Sequence, residues 1–188
     1  MHFAPTVWLT GLSGSGKSTL ALTLAASLTQ RGQPVEVLDG DVVRRSFSAG
    51  LGFSREDRRE NIRRVALRCR ERNEAQVTVI AALISPYAED RAMAAEIVGA
   101  ERFREVYLST TLMVCEARDP KGLYLKARRG EISGFTGIDA PYEPPPLPRL
   151  TLDTSILDIA QCTQHLLAIC LGTDPILGSV PAPSSDED

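Results

Sequence analysis

Short apolar runs alternate with amphipathic helical runs along the chain. Residues 6–10 and 34–38 have the length and apolar character of buried strands, and residues 18–30 between them show helical spacing that ends at Gly32. Residues 77–84 form a β-branched run that is apolar on both faces, which is typical of an interior strand in a parallel sheet. Strands and helices that alternate at these lengths predict a parallel sheet covered by helices on both faces.

The rest of the chain continues this alternation, except for an irregular stretch at residues 130–147 that is rich in Gly, Pro and aromatic residues. The ending PAPSSDED is poor in apolar side chains, so we expect residues 173–188 to be a flexible tail. The other predicted elements, in chain order, are a charged helix that begins near Ser54 and Asp57 and runs to about Arg72, a helix at 89–98, a strand at 105–109, a helix at 112–118, a strand at 150–152 and a helix at 156–171.

Length and composition suit one compact domain, residues 1–172, followed by that tail, because the chain has 188 residues of which 43% are hydrophobic. A net charge of −3 argues against a general nucleic-acid-binding protein, and the longest apolar runs are far shorter than the ~20 residues that a membrane span needs. No signal peptide is apparent, so we expect a cytoplasmic protein. The four cysteines lack paired spacing and only two histidines are present, which favours free thiols over a zinc site.

A glycine-rich stretch with one lysine follows the first predicted strand. Its sequence, GLSGSGKS from Gly11 to Ser18, fits the phosphate-loop pattern GxxxxGK[ST] between a strand and a helix. Glycines let successive backbone N–H groups point at phosphate oxygens, and the following helix adds its positive N-terminal end. Lys17 would reach the outer phosphates and Ser18 would offer its hydroxyl to Mg²⁺. The stretch therefore predicts a nucleoside triphosphate site, although a kinase, a switch and a motor all remain open at this point.

Two carboxylates, Asp39 and Asp41, end the second predicted strand in the sequence LDGDVVRR. In parallel sheets the carboxyl ends of the strands form the edge where ligands bind. These side chains can serve both a metal ion and an incoming hydroxyl group; the alternative is that Asp41 caps the next helix. Arg44, one turn into that helix, would point towards an anionic acceptor.

The segment LGFSREDRRENIRRV opens the charged helix. Arg58 and Asn61 are three residues apart and share a helix face, where a guanidinium and an amide together can bind a phosphate or sulfate group. Eight arginines fall between Arg55 and Arg72, interleaved with glutamates. Taken alone, this run is better explained as a solvated, ion-paired face than as a ligand site.

With these residues in view, the sequence resembles the adenylylsulfate kinases, which phosphorylate the ribose 3′-hydroxyl of adenosine 5′-phosphosulfate (APS) with MgATP. The resemblance covers roughly residues 8–154 and implies a P-loop NTPase-type three-layer α/β/α sandwich with a lid segment. It also implies a homodimer and a functional link to ATP sulfurylase. The matching segments, in order, are TGLSGSGKST, DGDVVR, LGFSREDRRENIRRV, ISPY, CEARDPKGLYLKAR and FTGIDAPYEPP.

The resemblance assigns roles to individual residues. Asp41 is the candidate for orienting or deprotonating the 3′-hydroxyl, Lys121 of the lid (residues 118–131) would close over the phosphates with Arg118 or Arg128, and Ser18 and Asp39 would hold Mg²⁺. The residues expected to bind ATP are Gly11, Leu12, Ser13, Gly14, Ser15, Gly16, Lys17, Ser18, Thr19 and Arg118. The residues expected to bind APS are Asp39, Asp41, Arg44, Phe53, Arg58, Asn61, Ile84, Ser85, Lys121 and Phe135, with the two phenylalanines on either side of the adenine.

Ser85 has three possible roles. The family's descriptions name this serine as a possible phosphoserine intermediate. We favour direct in-line transfer, with Ser85 as a binding residue, because a positioned hydroxyl, a metal and cations suffice for phosphoryl transfer. The third possibility is a helix cap before Pro86.

For the whole chain, a regulatory module that binds the nucleotide without catalysis and a different P-loop protein are the competing functions. Intact Lys17 and Asp41 argue against the first, and the FTGIDAPYE segment argues against the second.

Overall fold

The computed structural model describes residues 4–173, so the predicted tail lies, except for Thr173, outside the described residues. Strands and helices alternate through this range. The strands are β1 (Thr6–Thr10), β2 (Val35–Asp39), β3 (Thr78–Ala82), β4 (Phe103–Leu108) and β5 (Leu150–Leu152). The helices are α1 (Lys17–Gln30), α2 (Gly40–Arg45), α3 (Arg55–Glu74), α4 (Ala88–Val98), α5 (Leu112–Arg118), α6 (Leu123–Arg128) and α7 (Ile159–Leu171).

The strands form one parallel sheet in the order β2-β3-β1-β4-β5. β1 lies at its centre, where Thr6 pairs in register with Val79 of β3 and with Phe103 of β4. Because the strands all run the same way, their carboxyl ends meet at one edge, and the loops that carry the candidate site residues leave from that edge. The predicted parallel sheet is confirmed.

Apolar side chains cover both faces of the sheet. Successive residues of β1 point to opposite faces, so Val7 and Leu9 pack in a core with α1 and α7, whereas Trp8 packs in a second core with α3 and α4. Trp8 is fully buried, and burial of such a side chain stabilises a fold by about 1.5–3 kcal/mol. The chain therefore forms the predicted three-layer α/β/α sandwich. Its four cysteines are buried and free. None of the described helices is both long and apolar enough to cross a membrane.

Two predicted boundaries shift for identifiable local reasons. β3 ends at Ala82 rather than at residue 84, because the Ile84 carbonyl accepts a hydrogen bond from Thr10 Oγ1 at 2.7 Å instead of joining the sheet. α7 begins at Ile159 rather than at residue 156, because Asp158 and Gln161 form a reciprocal capping box there.

A third difference lies in the lid. No helix is predicted there from the sequence, but α6 forms where the Asp119 carboxylate accepts hydrogen bonds from the backbone N–H groups of Tyr124 and Leu125. The N-cap residue, Gly122, makes no side-chain cap hydrogen bond, and a helix of six residues leaves little periodicity in the sequence.

Candidate active site

The segment between β1 and α1 folds as a phosphate-binding loop. Gly14 and Gly16 have φ angles of 76° and 95°, a region that favours glycine. A Cβ atom added at Gly14 would lie 2.9 Å from the carbonyl oxygen of Cys115, so this position has no room for a side chain. α1 begins at Lys17, which brings the positive end of the helix to the loop. The strand–loop–helix context that the motif requires is present.

Lys17 is the buried cation of this loop. Its Nζ donates hydrogen bonds to the carbonyl oxygens of Gly11 at 2.9 Å and Leu12 at 2.5 Å, and it lies 3.3 Å from Ser15 Oγ. Only 8% of the residue is exposed, and this burial lowers the pKa of the ammonium group to about 8. A desolvated cation gains more from an anionic ligand than an exposed lysine does, because little water screens the interaction.

Two carboxylates lie at the mouth of the loop, and the structure gives them different partners. Ser18 Oγ donates to one oxygen of Asp39 at 2.5 Å, and the other oxygen of Asp39 accepts from the Asp41 N–H at 3.0 Å. Asp39 is therefore the N-cap of α2, and the alternative that Asp41 is the cap is wrong. The Asp41 carboxylate instead forms an ion pair with Lys121 of the lid.

On the other side of the site, Arg58 joins the two loops that carry the predicted aromatic residues. Its Nε donates to the Phe53 carbonyl at 2.9 Å and its Nη2 donates to the Gly134 carbonyl at 2.7 Å, next to Phe135. Arg44 lies over the Phe53 ring, with its guanidinium carbon 4.4 Å from the ring centroid. Burial lowers the pKa of both guanidinium groups, and the charge of Arg58 lowers that of Arg44 further. An exposed aromatic face beside two cations suits a planar base that carries an anionic group.

Asn61 lies one turn beyond Arg58 on α3. Only 3% of the residue is exposed, and its side-chain oxygen is buried with no hydrogen-bond partner among the described residues. A buried amide oxygen without a partner costs about 1–3 kcal/mol, which a ligand that donates a hydrogen bond would recover. A phosphate or sulfate group accepts hydrogen bonds, so the predicted role of Asn61 would use its side-chain N–H₂ group, and the orphaned oxygen does not test that role.

Most of the arginine run on α3 forms the ion-paired face that the sequence indicates. Glu60 is held by two arginines of its own helix, and their hydrogen bonds lower the pKa of its carboxyl to about 2. Arg58 is different, since it donates its hydrogen bonds to backbone carbonyls and a threonine hydroxyl. The ion pairs of the run join Arg55 to Glu89 and Asp90, Arg59 to Glu89 and Asp90, Arg63 and Arg64 to Glu60, Arg68 to Glu36 and Glu71, and Arg72 to Glu36.

Ser85 follows β3 at the same sheet edge and is buried. Its Oγ accepts a hydrogen bond from Trp8 Nε1 at 3.1 Å. Its φ angle of 40° is uncommon for a residue other than glycine. The N-cap of α4 is Tyr87, so the alternative that Ser85 caps this helix is wrong. The adjacent Ile84 is held to Thr10, the residue before the phosphate loop.

Tyr124 ties the lid to both halves of the site. Its hydroxyl donates to the Ser13 carbonyl of the phosphate loop at 2.9 Å, and its ring meets the Phe135 ring edge-on, with centroids 5.0 Å apart. Sequence reasoning missed this residue, although it lies inside the lid motif. Only its burial and these two contacts single it out from its neighbours.

Arg118 is the lid arginine that lies against the phosphate loop. It donates to the Gly14 carbonyl at 3.3 Å and, at 2.8 Å each, to the side chain and the carbonyl of Thr154. Arg128 is paired with Glu116 instead. Sequence reasoning also missed Thr154, whose hydroxyl lies 3.1 Å from the Ser15 carbonyl. Its position just after β5, at the ligand-binding edge of the sheet, was the available signal.

Comparison with known proteins agrees with this geometry. The family model for adenylylsulphate kinase matches residues 4–153. An adenylyl-sulfate kinase of Phocaeicola vulgatus is 53% identical over 172 residues, which cover 92% of this chain and 83% of that protein. The structure of the Mycobacterium tuberculosis APS kinase CysC in complex with AMPPNP and APS is similar with a TM-score of 0.86 and 43% identity, over 92% of this chain and 99% of that one. A hexameric APS kinase from Thiobacillus denitrificans gives a TM-score of 0.67 and 33% identity, over 92% of this chain and 29% of that one. The chain belongs to the adenylylsulphate kinase family.

Proposed function

We propose that this chain transfers the γ-phosphoryl group of ATP to the ribose 3′-hydroxyl of APS, which yields 3′-phosphoadenosine 5′-phosphosulfate and ADP. The observation that carries the proposal is the contact between Lys121 of the lid and Asp41 at the sheet edge, beside the phosphate loop. This contact joins a half-exposed cation to a carboxylate at the place where a phosphoryl group and an acceptor hydroxyl would meet. Family membership supports both substrates.

The phosphate loop would bind ATP through its backbone N–H groups, with Lys17 against the outer phosphates. Ser18 and Asp39 bring a hydroxyl and a carboxylate oxygen within 2.5 Å of each other, and oxygen atoms of these kinds are the ligands that Mg²⁺ prefers. We therefore assign Mg²⁺ to this pair, together with phosphate oxygens of ATP. When bound, the ion neutralises charge on the phosphates.

Asp41 would accept a hydrogen bond from the 3′-hydroxyl, which orients this group and can take its proton as the phosphoryl group arrives. Its carboxylate is not used as a helix cap, and more than half of its side chain is exposed, so a substrate hydroxyl can reach it. Lys121 would then neutralise charge on the transferring group, and the lid around it would exclude water, which limits hydrolysis of ATP.

Arg44, Arg58 and Asn61 would hold the phosphosulfate end of APS, and Phe53 and Phe135 would enclose the adenine. The bridge that Arg58 forms between the two aromatic loops supports this arrangement. We assign Ser85 to substrate binding with direct in-line transfer rather than to a phosphoserine intermediate, because its hydroxyl is buried and already accepts a hydrogen bond from Trp8.

The proposal also covers the setting of the reaction. We assign the chain to the cytoplasm, as a homodimer, and infer that its APS comes from an ATP sulfurylase. The hexameric assembly of the Thiobacillus denitrificans relative supports oligomer formation in the family without fixing the number of subunits here. Sedimentation of the purified chain measures that number directly, and a monomer at micromolar concentration would contradict the dimer.

A coupled ADP-release assay tests the reaction. The full chain is incubated with MgATP and either APS, AMP or adenosine, and the Lys17→Met variant serves as the catalytically impaired control. ADP formation that depends on APS and disappears in the variant supports the proposal. APS binding without ADP formation would instead identify a regulatory module, and ADP formation with adenosine as the acceptor would identify a different kinase.

A further inference from the structure

Arg91 on α4 is a buried arginine outside the residues assigned above. Only 3% of it is exposed, yet its guanidinium group makes three polar contacts. Nε donates to Glu105 Oε1 of β4 at 2.8 Å, Nη1 donates to the Ser85 carbonyl at 2.8 Å, and Nη2 donates to the Glu143 carbonyl at 2.7 Å. One planar group therefore joins β4, the substrate loop (residues 84–85) and the strap (residues 141–143) that follows the lid.

The strap and the substrate loop are also joined without Arg91. Glu143 N donates to the Pro86 carbonyl at 2.8 Å, and the Glu143 carboxylate accepts from the Ala88 N–H at 2.7 Å. The Tyr142 hydroxyl lies 2.9 Å from Thr10 Oγ1, which in turn holds the Ile84 carbonyl. These contacts form a lock between two segments that are more than 50 residues apart in sequence.

The lock matters because Ser85 has an unfavourable backbone conformation. A non-glycine residue with a positive φ angle persists only where its surroundings impose that conformation. The Ser85 carbonyl accepts from Arg91, and its hydroxyl accepts from Trp8, so both ends of the residue are fixed from the protein interior. Arginine suits this task better than lysine, since its rigid fork presents several donors in fixed directions.

We propose that Arg91, assisted by Glu143, is a positioning residue for APS: it holds the substrate loop in the conformation that binds the acceptor and anchors the strap to that loop. The proposal rests on the proposed function. Arg91 acts through the two hydrogen bonds that it donates to the carbonyl groups of Ser85 and Glu143, and not through its ion pair with Glu105. Lysine could keep the charge beside Glu105 but could not span the two carbonyls.

The test compares KM values for APS and ATP in the full chain. Arg91→Lys is expected to raise the KM of APS by about 10- to 100-fold, because a small misplacement of a binding group has effects of that size, with a much smaller change for ATP. Glu105→Gln retains an acceptor for Arg91 Nε and should leave the KM of APS within about twofold of wild type, since both carbonyl bonds remain. The matched control is Arg63→Lys, which replaces an exposed arginine of α3 and should change neither KM.

Thermal melting identifies variants that fail to fold. Should Arg91→Lys not fold, Glu143→Ala serves instead, because Glu143 is exposed and, within residues 4–173, its carboxylate accepts a hydrogen bond only from the Ala88 N–H. Glu143→Ala should raise the KM of APS several-fold and leave the melting temperature unchanged. An unchanged KM of APS in Arg91→Lys or Glu143→Ala, or equal effects of Arg91→Lys and Glu105→Gln, would overturn the inference. A wild-type chain that forms no ADP with APS would overturn the proposed function itself.

Discussion

Asp41 and Asp39, the two carboxylates at the sheet edge, can be replaced one at a time. The two variants distinguish the group that orients the hydroxyl from the group that binds Mg²⁺. Asp41→Asn removes a base but keeps the size and shape of the side chain. Loss of a general base lowers turnover by about 10²- to 10⁴-fold, and we expect kcat to fall within this range while ATP affinity stays within about twofold. At ~1.4 kcal/mol per factor of ten, this loss corresponds to about 3–5 kcal/mol of transition-state stabilisation.

The structure shows that unfolding cannot account for a loss of that size. Asp41→Asn weakens the ion pair with Lys121. In this pair the side chain of Asp41 is 57% exposed and that of Lys121 is 50% exposed. Exposed ion pairs contribute about 0–1 kcal/mol, because water screens the charges. A variant weakened by that amount remains folded at 25 °C, since domains of this size are stable by about 5–15 kcal/mol.

Asp39→Asn is the matched variant. Asparagine caps a helix about as well as aspartate does, so α2 should remain intact. The amide is a poorer ligand for Mg²⁺ and a weaker partner for Ser18, and hydrogen bonds to charged groups are worth about 1.5–3 kcal/mol, so we expect the KM of MgATP to rise at least tenfold. A higher Mg²⁺ concentration should recover part of the loss.

The assay measures ADP release at saturating APS over a range of MgATP concentrations, and calorimetric titration with Mg²⁺ and AMPPNP gives the affinity directly. Wild-type turnover in Asp41→Asn would contradict the role of Asp41 as the hydroxyl-orienting group. Loss of MgATP affinity in Asp41→Asn but not in Asp39→Asn would show that Asp41 is the metal ligand.

Three further predictions concern the phosphate loop, the lid and acid stability. Gly14→Ala should destabilise the chain by more than the ~1–2 kcal/mol that a positive φ angle costs a non-glycine residue, because its Cβ would also press on the Cys115 carbonyl, and it should raise the KM of ATP. Tyr124→Phe removes the hydrogen bond to the Ser13 carbonyl but keeps the ring, so the KM of ATP should rise about 3- to 10-fold, the equivalent of ~1 kcal/mol. Glu60→Gln should lower stability at pH 7 by less than about 1 kcal/mol, since the site is solvent-screened, and the difference from wild type should vanish as the pH falls from 4.5 towards 2, where the folded carboxyl takes up its proton.

Each of these predictions has its own control. Gly32 has a similar φ angle, 71°, but among the described residues no atom beyond its chain neighbours lies within 4 Å of an added Cβ. Equal melting temperatures for Gly14→Ala and Gly32→Ala would therefore contradict the steric account. A normal KM of ATP in Tyr124→Phe would show that the ring alone holds the lid to the loop. For Glu60→Gln, the free energy of unfolding in urea is compared with wild type at pH 7 and at pH 2.5, and a difference as large at pH 2.5 as at pH 7 would argue against the ion pairs as its cause.

The sequence by itself determined the layered fold and the phosphate loop. The strands of a parallel sheet are apolar on both faces and the helices between them are amphipathic, so periodicity is strong wherever burial is extensive, as in β1. The phosphate loop is equally local, because glycine conformation, helix start and Lys17 all fall within a few consecutive residues. Such features can be read without knowledge of distant contacts.

Only the tertiary structure decided which polar residues act together. Asp39 rather than Asp41 caps α2, and the same Asp39 carboxylate also accepts a hydrogen bond from Ser18 on a different helix. The anchoring roles of Tyr124 and Arg91 depend on partners far away in sequence. The sequence pattern around a buried tyrosine or arginine does not predict which distant residues it will contact. Hydrogen bonds are short-range and directional, so the pairs that form are selected by packing of the whole domain rather than by the local chain.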